Sequence, residues 1–563
     1  MIPALTQNKD SLAVLIFIFI LLLSPLADGK DLAKGGPVDF TFEPILSSEW
    51  ACYFQDGGLY VRKYGSAPIK IRDSGKPTVS LQSPDLHAGD LIFVTWMEKG
   101  AQGKRVLFKA SYDGGKTFGD AVEISPNTNA TGIMSFIDKN GSIYIFEGAM
   151  GEKVALYISL SIDKGKTFKR YPLEIEGLSA LYNLSPLVVK DALYLCFSGI
   201  KDGKKVIGIK EIEINSMKAK ELKILKETES VSFIEVFKIK DNPAFIYKTA
   251  REGRFVLDSF IKENADYMLF PIKGAEGLDV ARMDYYVWED GRVLVVFSGE
   301  ERGKFKQRIY AAVSEDGGKN WDVRRIDNKE FDNTRSWLPR MAVHGERVAV
   351  VWEDSRGIRP GVRMKLSPDR GRTWMEKDIP LSGGKNFAFR PRISFAGGGF
   401  HVAWHQFRDD EKKVADLTMV KLNWDDAVKR ASRKEKGSSL KEKEALLRKK
   451  VMAYWEGMMK KDLKTTYMIH DPFYRARIPF DYYASHRGPM VFHSYSIEGV
   501  RIEGNEAFVN LKVRYEVPKI TILGKETSIP SKEITAEDTY LFIDGTWYRK
   551  FVDALSGGSA IDY

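Results

Sequence analysis

The chain has 563 residues, which exceeds the size of one ordinary hydrophobic core and therefore predicts two or more domains. Its composition, 44% hydrophobic and 29% charged, is that of a folded protein and excludes global disorder. The net charge of +10 is concentrated in residues 429–450, which hold ten Lys or Arg against three Glu, so the charge does not indicate a nucleic-acid partner.

The N-terminal residues 1–29 are predicted to be a signal peptide. Residues 12–23 form a continuous apolar run that is short for a membrane span, and the small residues that signal peptidase prefers follow it up to Gly29. We therefore expect an exported protein, periplasmic or extracellular, with an uncleaved membrane anchor as the alternative. Cys52 and Cys196 lie in strand-like surroundings, and both one disulfide and two buried thiols are compatible with the sequence.

One short motif occurs four times in the chain. It reads SYDGGKTF at 111–118, SIDKGKTF at 161–168, SEDGGKNW at 314–321 and SPDRGRTW at 367–374. Its aspartates, Asp113, Asp163, Asp316 and Asp369, are separated by 50, 153 and 53 residues, which gives a period of about fifty. Alternating apolar hairpins such as residues 283–299 recur with this period, and a strand-rich repeat of this length predicts a β-propeller.

The propeller is predicted to span residues 37–426, as a mainly β fold with seven blades. The seven repeat units start near Lys76, Gly132, Ser185, Phe233, Arg282, Arg340 and Arg392. Residues 37–74 precede the first unit, and they could supply the strand that closes the ring or form an additional blade. Six and eight blades therefore remain open.

The repeated motif resembles the Asp-box of the bacterial neuraminidase (sialidase) superfamily, over about residues 75–425. The resemblance implies that each box forms the turn between strands 3 and 4 of a blade, away from the ligand face. In such a turn the Ser and Asp side chains hydrogen-bond to nearby backbone groups, and Gly adopts the positive φ that the turn requires. We therefore expect the four aspartates to be structural.

The candidate ligand face is formed by the starts of the first strands and by the loops that follow the second strands. Arginine binds carboxylates well because its planar guanidinium matches the carboxylate plane. The candidate ligand-binding residues on this face are Arg282, Arg340, Arg392, Lys76, Glu353, Asp354 and Arg356. Two interpretations remain: a pocket for an acidic or polyhydroxylated ligand, or ion pairs that fasten adjacent blades.

The resemblance to sialidases is incomplete where their chemistry would be. It implies three arginines that hold a carboxylate, a Tyr nucleophile with a Glu, and an Asp acid/base. The first unit, SGKPTVSL at 74–81, has no Arg, and the loop WMEKGAQGK at 96–104 has no Asp. The leading prediction is therefore binding of an acidic saccharide or other anionic small ligand without catalysis. A sialidase-type glycoside hydrolase and a structural scaffold are the alternatives, and neither a metal site nor a cofactor is predicted.

A second domain is predicted at residues 440–556, after a basic linker or helix start at 427–445. A helix-forming pattern followed by strands that end in DGTWYRKF resembles the nuclear transport factor 2-like fold, an α+β cone with a pocket between helix and sheet. The candidate pocket residues are His470, Asp471, Tyr474, Arg475 and His493. The basic residues 429–450 are interpreted as solvated, with contact to an anionic surface as the alternative.

Overall fold

The computed structural model describes residues 30–31, 38, 43–72, 84–100, 103–128, 130–149, 154–175, 177–230, 233–263, 266–301, 306–328, 335–356, 360–382, 387–408, 414–432, 439–486, 489–522, 525–543 and 545–550. The predicted signal peptide and Lys76 lie outside these residues. Within the described ranges, no helix is long and apolar enough to cross a membrane.

The first four sheets follow one another along the chain. Strand β1 (Lys30–Asp31) precedes them and belongs to sheet 8. Sheet 1 consists of β2 (Ile45–Ser47), β3 (Trp50–Gln55), β4 (Gly58–Lys63) and β5 (Ile69–Arg72). Sheet 2 consists of β6 (Asp85–Ala88), β7 (Ile92–Gly100), β8 (Gly103–Ser111) and β9 (Val122–Thr128). Sheet 3 consists of β10 (Ala130–Ile137), β11 (Ile143–Ala149), β12 (Ala155–Ser161) and β13 (Lys169–Glu174). Sheet 4 consists of β14 (Leu178–Val189), β15 (Ala192–Lys201), β16 (Lys204–Glu213), β17 (Lys218–Ala219) and β18 (Lys223–Glu227), the last two both paired with β16.

Four further sheets repeat the same antiparallel order. Sheet 5 consists of β19 (Ile234–Ile239), β20 (Asn242–Arg251), β21 (Arg254–Glu263) and β22 (Asp266–Pro271). Sheet 6 consists of β23 (Leu278–Val287), β24 (Val293–Glu301), β25 (Gln307–Ser314) and β26 (Asp322–Arg325). Sheet 7 consists of β27 (Ser336–His344), β28 (Arg347–Asp354), β29 (Gly361–Ser367) and β30 (Ile379–Pro380). Sheet 8 consists of β31 (Ala388–Ala396), β32 (Gly399–Phe407), β33 (Ala415–Asn423) and, at its outer edge, β1.

These sheets form a closed ring, which is the arrangement of a β-propeller. First strands of neighbouring sheets lie against each other from β19 to β31, and β31 in turn contacts β2 of sheet 1. Sheets 3 and 4 share one apolar core, which includes Phe146 and Phe197. The central strands are rich in Val, Ile and Phe and buried on both faces, because each sheet is covered by a neighbour on either side.

Eight sheets belong to this ring in the described part of the chain, one more than the seven units counted from sequence. The additional one is sheet 1, from residues 45–72, which had been left open as an extra blade. It lacks the Ser-x-Asp motif and its strands are short, so its repeat signal is weak. Cys52 and Cys196 are buried free thiols on strands of different sheets, so they form no disulfide.

A helix extends the propeller beyond the predicted boundary at residue 426. Helix α1 (Trp424–Ser432) follows sheet 8 directly, and its Ala427 and Ala431 are buried in the core shared by sheets 7 and 8. The first part of the predicted basic linker is therefore packed on the propeller through its small apolar side chains.

The C-terminal residues form a separate α+β unit with its own core. It contains α2 (Leu440–Lys460), α3 (Leu463–Ile469), α4 (Pro472–Arg477), α5 (Phe480–Ser485) and an antiparallel sheet of β34 (Val491–Glu503), β35 (Glu506–Ile522), β36 (Lys525–Ile543) and β37 (Thr546–Arg549). Ser439 and Glu442 form a capping box that fixes the start of α2. Leu447, Val451 and Trp455 on α2 pack against the sheet around Leu511 and Trp547.

Candidate functional site

The four Ser-x-Asp motifs form hydrogen-bonded turns between the third and fourth strands of sheets 2, 3, 6 and 7, which is the position that the resemblance implied. In the first of them, the backbone N–H of Thr117 donates to Asp113 Oδ1 at 2.9 Å and its hydroxyl donates to Oδ2 at 2.6 Å. Ser111 donates to Asp113 Oδ1 and accepts from the N–H of Gly115, both at 2.8 Å. The equivalent aspartates, Asp163, Asp316 and Asp369, make the same bonds. Each carboxylate is engaged by its own turn, which supports the structural role expected of all four.

A second periodic device joins the first strands of neighbouring sheets. A polar side chain on one first strand accepts a hydrogen bond from a backbone N–H of the next first strand. We call these side chains the inter-sheet acceptors: Ser47 from Ala88 at 3.0 Å, Asp85 from Ser135 at 2.7 Å, Ser185 from Val236 at 3.0 Å and Asp284 from Met341 at 2.9 Å. Asp85, Ser185 and Asp284 follow one another at about 100 residues, which is twice the repeat period, and this spacing is a sequence signal for the same role.

The three predicted arginines occupy the same position on three consecutive first strands. Arg282, Arg340 and Arg392 lie on β23, β27 and β31, and each follows a β-bulge in its strand. In β27 and β31 the bulge contains a non-glycine residue with positive φ, Leu338 at 53° and Arg390 at 55°. Such a conformation costs on the order of 1 kcal/mol or more, and it is common beside functional sites. The matched bulges place the two arginines in equivalent orientations.

Two of these arginines share one carboxylate. Glu43, immediately before β2, forms an ion pair with the guanidinium of Arg392, and its Oε2 lies 3.7 Å from Nη2 of Arg340. Arg392 Nε also donates to the carbonyl of Pro44 at 3.3 Å. Burial lowers the pKa of Arg392 to about 10. The structure therefore brings Arg340 and Arg392 together, and a carboxylate lies between them.

Arg282 lies on the neighbouring strand and is exposed to solvent. Burial lowers the pKa of Lys248, and the positive charge of Arg282 lowers it further. Lys248 lies on the second strand of sheet 5, and together with Arg282, Arg340 and Arg392 it places four cationic side chains in this region of the ring. These cations can attract an anionic ligand.

The loop residues Glu353, Asp354 and Arg356 do not form an open binding surface, which corrects their interpretation as ligand-binding residues. Arg356 is buried, and its Nε and Nη2 donate to the two oxygens of Asp354, each at 2.7 Å. Arg356 also pairs with Asp378 at 2.8 Å. Burial alone would raise the pKa of Asp354, but the charge of Arg356 outweighs it and holds this pKa below its usual range. This is the fastening role that was the alternative interpretation.

Glu353 is buried as well, and it holds the bulge that precedes Arg392. Its Oε1 accepts from the backbone N–H of Arg390 at 2.6 Å, and its Oε2 accepts from the indole N–H of Trp337 at 2.5 Å. Burial raises the pKa of Glu353, and these two bonds oppose the rise. Glu353 therefore supports the backbone that positions Arg392.

A half-buried cluster of acidic and phenolic side chains beside Arg340 was not predicted from sequence. Glu235 accepts from the hydroxyl of Ser185 at 3.0 Å and from the hydroxyl of Tyr285 at 3.5 Å. Burial raises the pKa of Glu235 to about 7, and the charge of Asp284 contributes to the rise. Burial also raises the pKa of Asp284, which Arg340 partly opposes. Two carboxyl groups and one phenol thus lie close to Arg340.

The C-terminal candidates fall into two places. Asp471 caps helix α4 by accepting from the N–H of Tyr474 at 2.9 Å, and Arg475 Nε donates to the carbonyl of His470 at 3.1 Å. His493 lies apart on β34, where its Nε2 is 3.2 Å from Glu516. The structure therefore groups four of the five residues through contacts that stabilise a helix terminus.

The sequence did not predict the partly buried ion pair of this unit. Asp538 pairs with Arg549 at 2.5 Å and accepts from the indole N–H of Trp455 at 3.0 Å. Burial alone would lower the pKa of Arg549, but the neighbouring Tyr454 and Asp538 outweigh it and raise this pKa. Among the residues that the structure describes, no group of three or more His, Cys, Asp and Glu side chains is arranged to hold a metal ion.

The fold and this cationic region define a β-propeller protein with a C-terminal α+β unit. No protein-family model and no curated protein sequence matches the chain. Its structural neighbours include a PL25 ulvan lyase bound to -[GlcA(1-4)Rha3S]-, with 13% identity, 61% of this chain and 95% of that chain covered, and a TM-score of 0.40. They also include the NanB sialidase from Streptococcus pneumoniae, with 10% identity, coverage of 68% and 82%, and a TM-score of 0.33. A third is the β-propeller domain of the Trilobed protease from Pyrococcus furiosus, with 12% identity, coverage of 60% and 95%, and a TM-score of 0.38.

Proposed function

We propose that the propeller binds a ligand that carries a carboxylate, such as an acidic saccharide, through Arg340 and Arg392. The observation that carries this proposal is the convergence of two guanidiniums from neighbouring first strands on one carboxylate, that of Glu43. A planar guanidinium binds a carboxylate oxygen in preference to a neutral hydroxyl. Arg282 extends the cationic region to the next strand, where it would contact a second polar group of the ligand.

The remaining sequence-based expectations belong to this proposal. The protein would be exported, with residues 1–29 as its signal peptide. Its propeller would be of the sialidase type, and its C-terminal unit would be a nuclear transport factor 2-like module for a second binding or assembly role. The basic residues 429–450 would remain solvated or contact an anionic surface.

The test is a thermal-shift experiment with sialic acid, glucuronic acid and galacturonic acid, with glucose and galactose as neutral controls. Each acidic sugar that binds should raise the melting temperature, because binding at 100 times Kd stabilises the folded state by about 2.7 kcal/mol. Arg340→Gln and Arg392→Gln should abolish the shift. Arg408→Gln is the matched control, because Arg408 is an exposed arginine of sheet 8 paired with Asp416. If no acidic sugar shifts the wild-type protein, the proposal is wrong.

A second function, glycoside hydrolysis, has one observation in its favour. The Tyr285 hydroxyl lies 3.5 Å from Glu235, with Asp284 next to it in the chain, so a phenol and two carboxyl groups are close together. However, the Tyr285 ring packs between sheets 5 and 6, with its centroid 5.7 Å from that of Phe237. A phenol packed in this way is poorly placed for attack on a sugar, and burial raises its pKa far above the ordinary value.

Turnover assays with aryl sialosides and aryl glucuronides decide between binding and hydrolysis. Hydrolysis that Tyr285→Phe abolishes, with the thermal shift retained, would establish the enzyme. Binding of the same compounds without any release of the aryl group would establish the non-catalytic function.

A further inference from the structure

Glu43 differs from the buried carboxylates that fasten the sheets of the propeller by pairing with arginines. The side chains of Glu98, Glu147 and Asp354 are between 0% and 6% exposed, as expected of groups that fasten sheets. The side chain of Glu43 is 32% exposed. Water and a solute can therefore reach this carboxylate, whereas they cannot reach the fastening ones.

The arginine pair is also incompletely neutralised by Glu43. One carboxylate faces two guanidiniums, and it forms a close ion pair with Arg392 while its contact with Arg340 is 3.7 Å long. The side chains of Arg340 and Arg392 are 21% and 23% exposed, so both remain partly accessible to solvent. A second anion would be attracted to the same position, and it would compete with Glu43 for Arg392.

We propose that the Glu43 carboxylate is an internal substitute for the carboxylate of the ligand, and that an acidic ligand binds by displacing it from Arg340 and Arg392. This inference rests on the proposed function, since it concerns the same arginine pair. It adds that the site accepts a single carboxylate bridging two arginines. It also adds that Glu43 occupies the position between the two arginines when no ligand is bound.

Displacement has a measurable consequence for affinity. The apparent Kd is the intrinsic Kd divided by the fraction of molecules in which Glu43 has left the arginines. Glu43→Gln keeps the size of the side chain but removes its charge, so this fraction rises. Since a hydrogen bond to a charged group is stronger than a neutral one, we expect the affinity for an acidic sugar to increase on the order of ten-fold.

The first experiment uses acetate as the probe and needs no knowledge of the natural ligand. Melting temperatures of the whole protein are measured in sodium acetate and in sodium chloride at equal ionic strength, for the wild type, Glu43→Ala and Glu49→Ala. Glu49 is the matched control, since it pairs with Lys63 at 2.8 Å and is 29% exposed. We expect acetate to stabilise Glu43→Ala more than the other two proteins. This excess should be absent from the double variant Glu43→Ala with Arg392→Gln.

The second experiment titrates the wild type and Glu43→Gln with glucuronic acid by calorimetry. Tighter binding by Glu43→Gln supports displacement. Equal or weaker binding by Glu43→Gln refutes displacement, whereas binding by the wild type would leave the proposed function standing. If neither protein binds an acidic sugar and acetate gives no excess stabilisation of Glu43→Ala, both proposals are wrong. The isosteric Gln variant keeps the test decisive even if Glu43→Ala folds poorly.

Discussion

Replacement of Asp354 by Ala should strongly destabilise the propeller. Asp354 accepts from Arg356 twice at 2.7 Å, from the indole N–H of Trp352 at 3.0 Å and from the hydroxyl of Ser336 at 3.1 Å. The Arg356 side chain is only 5% exposed, so bulk water cannot solvate its charge in the variant. Asp378 would then be its remaining close partner. Removing one partner of a buried ion pair costs about 3–5 kcal/mol, and we expect the lower end because Asp378 remains.

Urea denaturation followed by tryptophan fluorescence measures this loss in the unfolding free energy. Glu227→Ala is the control, because Glu227 pairs with Lys204 at 2.7 Å in an exposed position and such pairs contribute little. It should be indistinguishable from the wild type. A loss below about 1 kcal/mol for Asp354→Ala would refute the assignment of Asp354 and Arg356 to a fastening network. With such a small loss, Asp354 and Arg356 would again be candidates for ligand binding.

Three further predictions concern pH, packing and capping. Burial raises the pKa of Glu235 from 4.5 to about 7. The contribution of Glu235 to stability is therefore complete below about pH 4.5 and is lost as the pH rises through 7. Glu235→Gln should remove this pH dependence of the melting temperature. Gly115→Ala should destabilise by about 1–3 kcal/mol more than Gly114→Ala, because both have positive φ but only the Cβ at Gly115 meets an indole ring, at 2.1 Å. Asp471→Ala should cost about 1 kcal/mol through loss of a helix cap, whereas His493→Ala, at an exposed position, should leave the melting temperature unchanged.

The contrary results are equally specific. A Glu235→Gln protein with the pH profile of the wild type would mean that another group titrates in this range. Equal effects of Ala at Gly115 and Gly114 would mean that backbone strain, and not the indole contact, limits the turn. A neutral Asp471→Ala would argue for a ligand role of that carboxylate instead of a capping role.

The sequence predicted those parts of the fold that depend on local hydrogen bonds. The turn around Asp113 is held by hydrogen bonds to residues within four positions of it, so it could be predicted from the motif without knowledge of the tertiary structure. The hairpins could be predicted for the same reason, since each hairpin pairs two strands that are adjacent in the chain. Sheet 1 was uncertain because it has the strands of a blade without the turn motif.

The candidate site was only half predictable. Arg340 and Arg392 could be aligned because each follows a proline at the same place in its repeat. Their partner could not, because Glu43 lies 349 residues before Arg392 and outside the repeat pattern. Asp354 and Arg356 were assigned to the candidate ligand face because they follow the second strand of their unit. Pairing between such residues was the open alternative, and the structure shows that this alternative holds for Asp354 and Arg356.

The pairing of β1 with β33 has a consequence for how the chain folds. Lys30 on β1 lies opposite Met419 on β33, so β1 can pair only after residues 389 positions further along the chain have been synthesised. At about 5–20 residues per second, ribosomal synthesis separates these two strands by roughly 20–80 seconds. During this interval the partly formed ring has open strand edges, which are prone to pair with other chains. Because Glu43 and Arg392 meet across the same closure, the candidate site is among the last parts of the molecule to assemble.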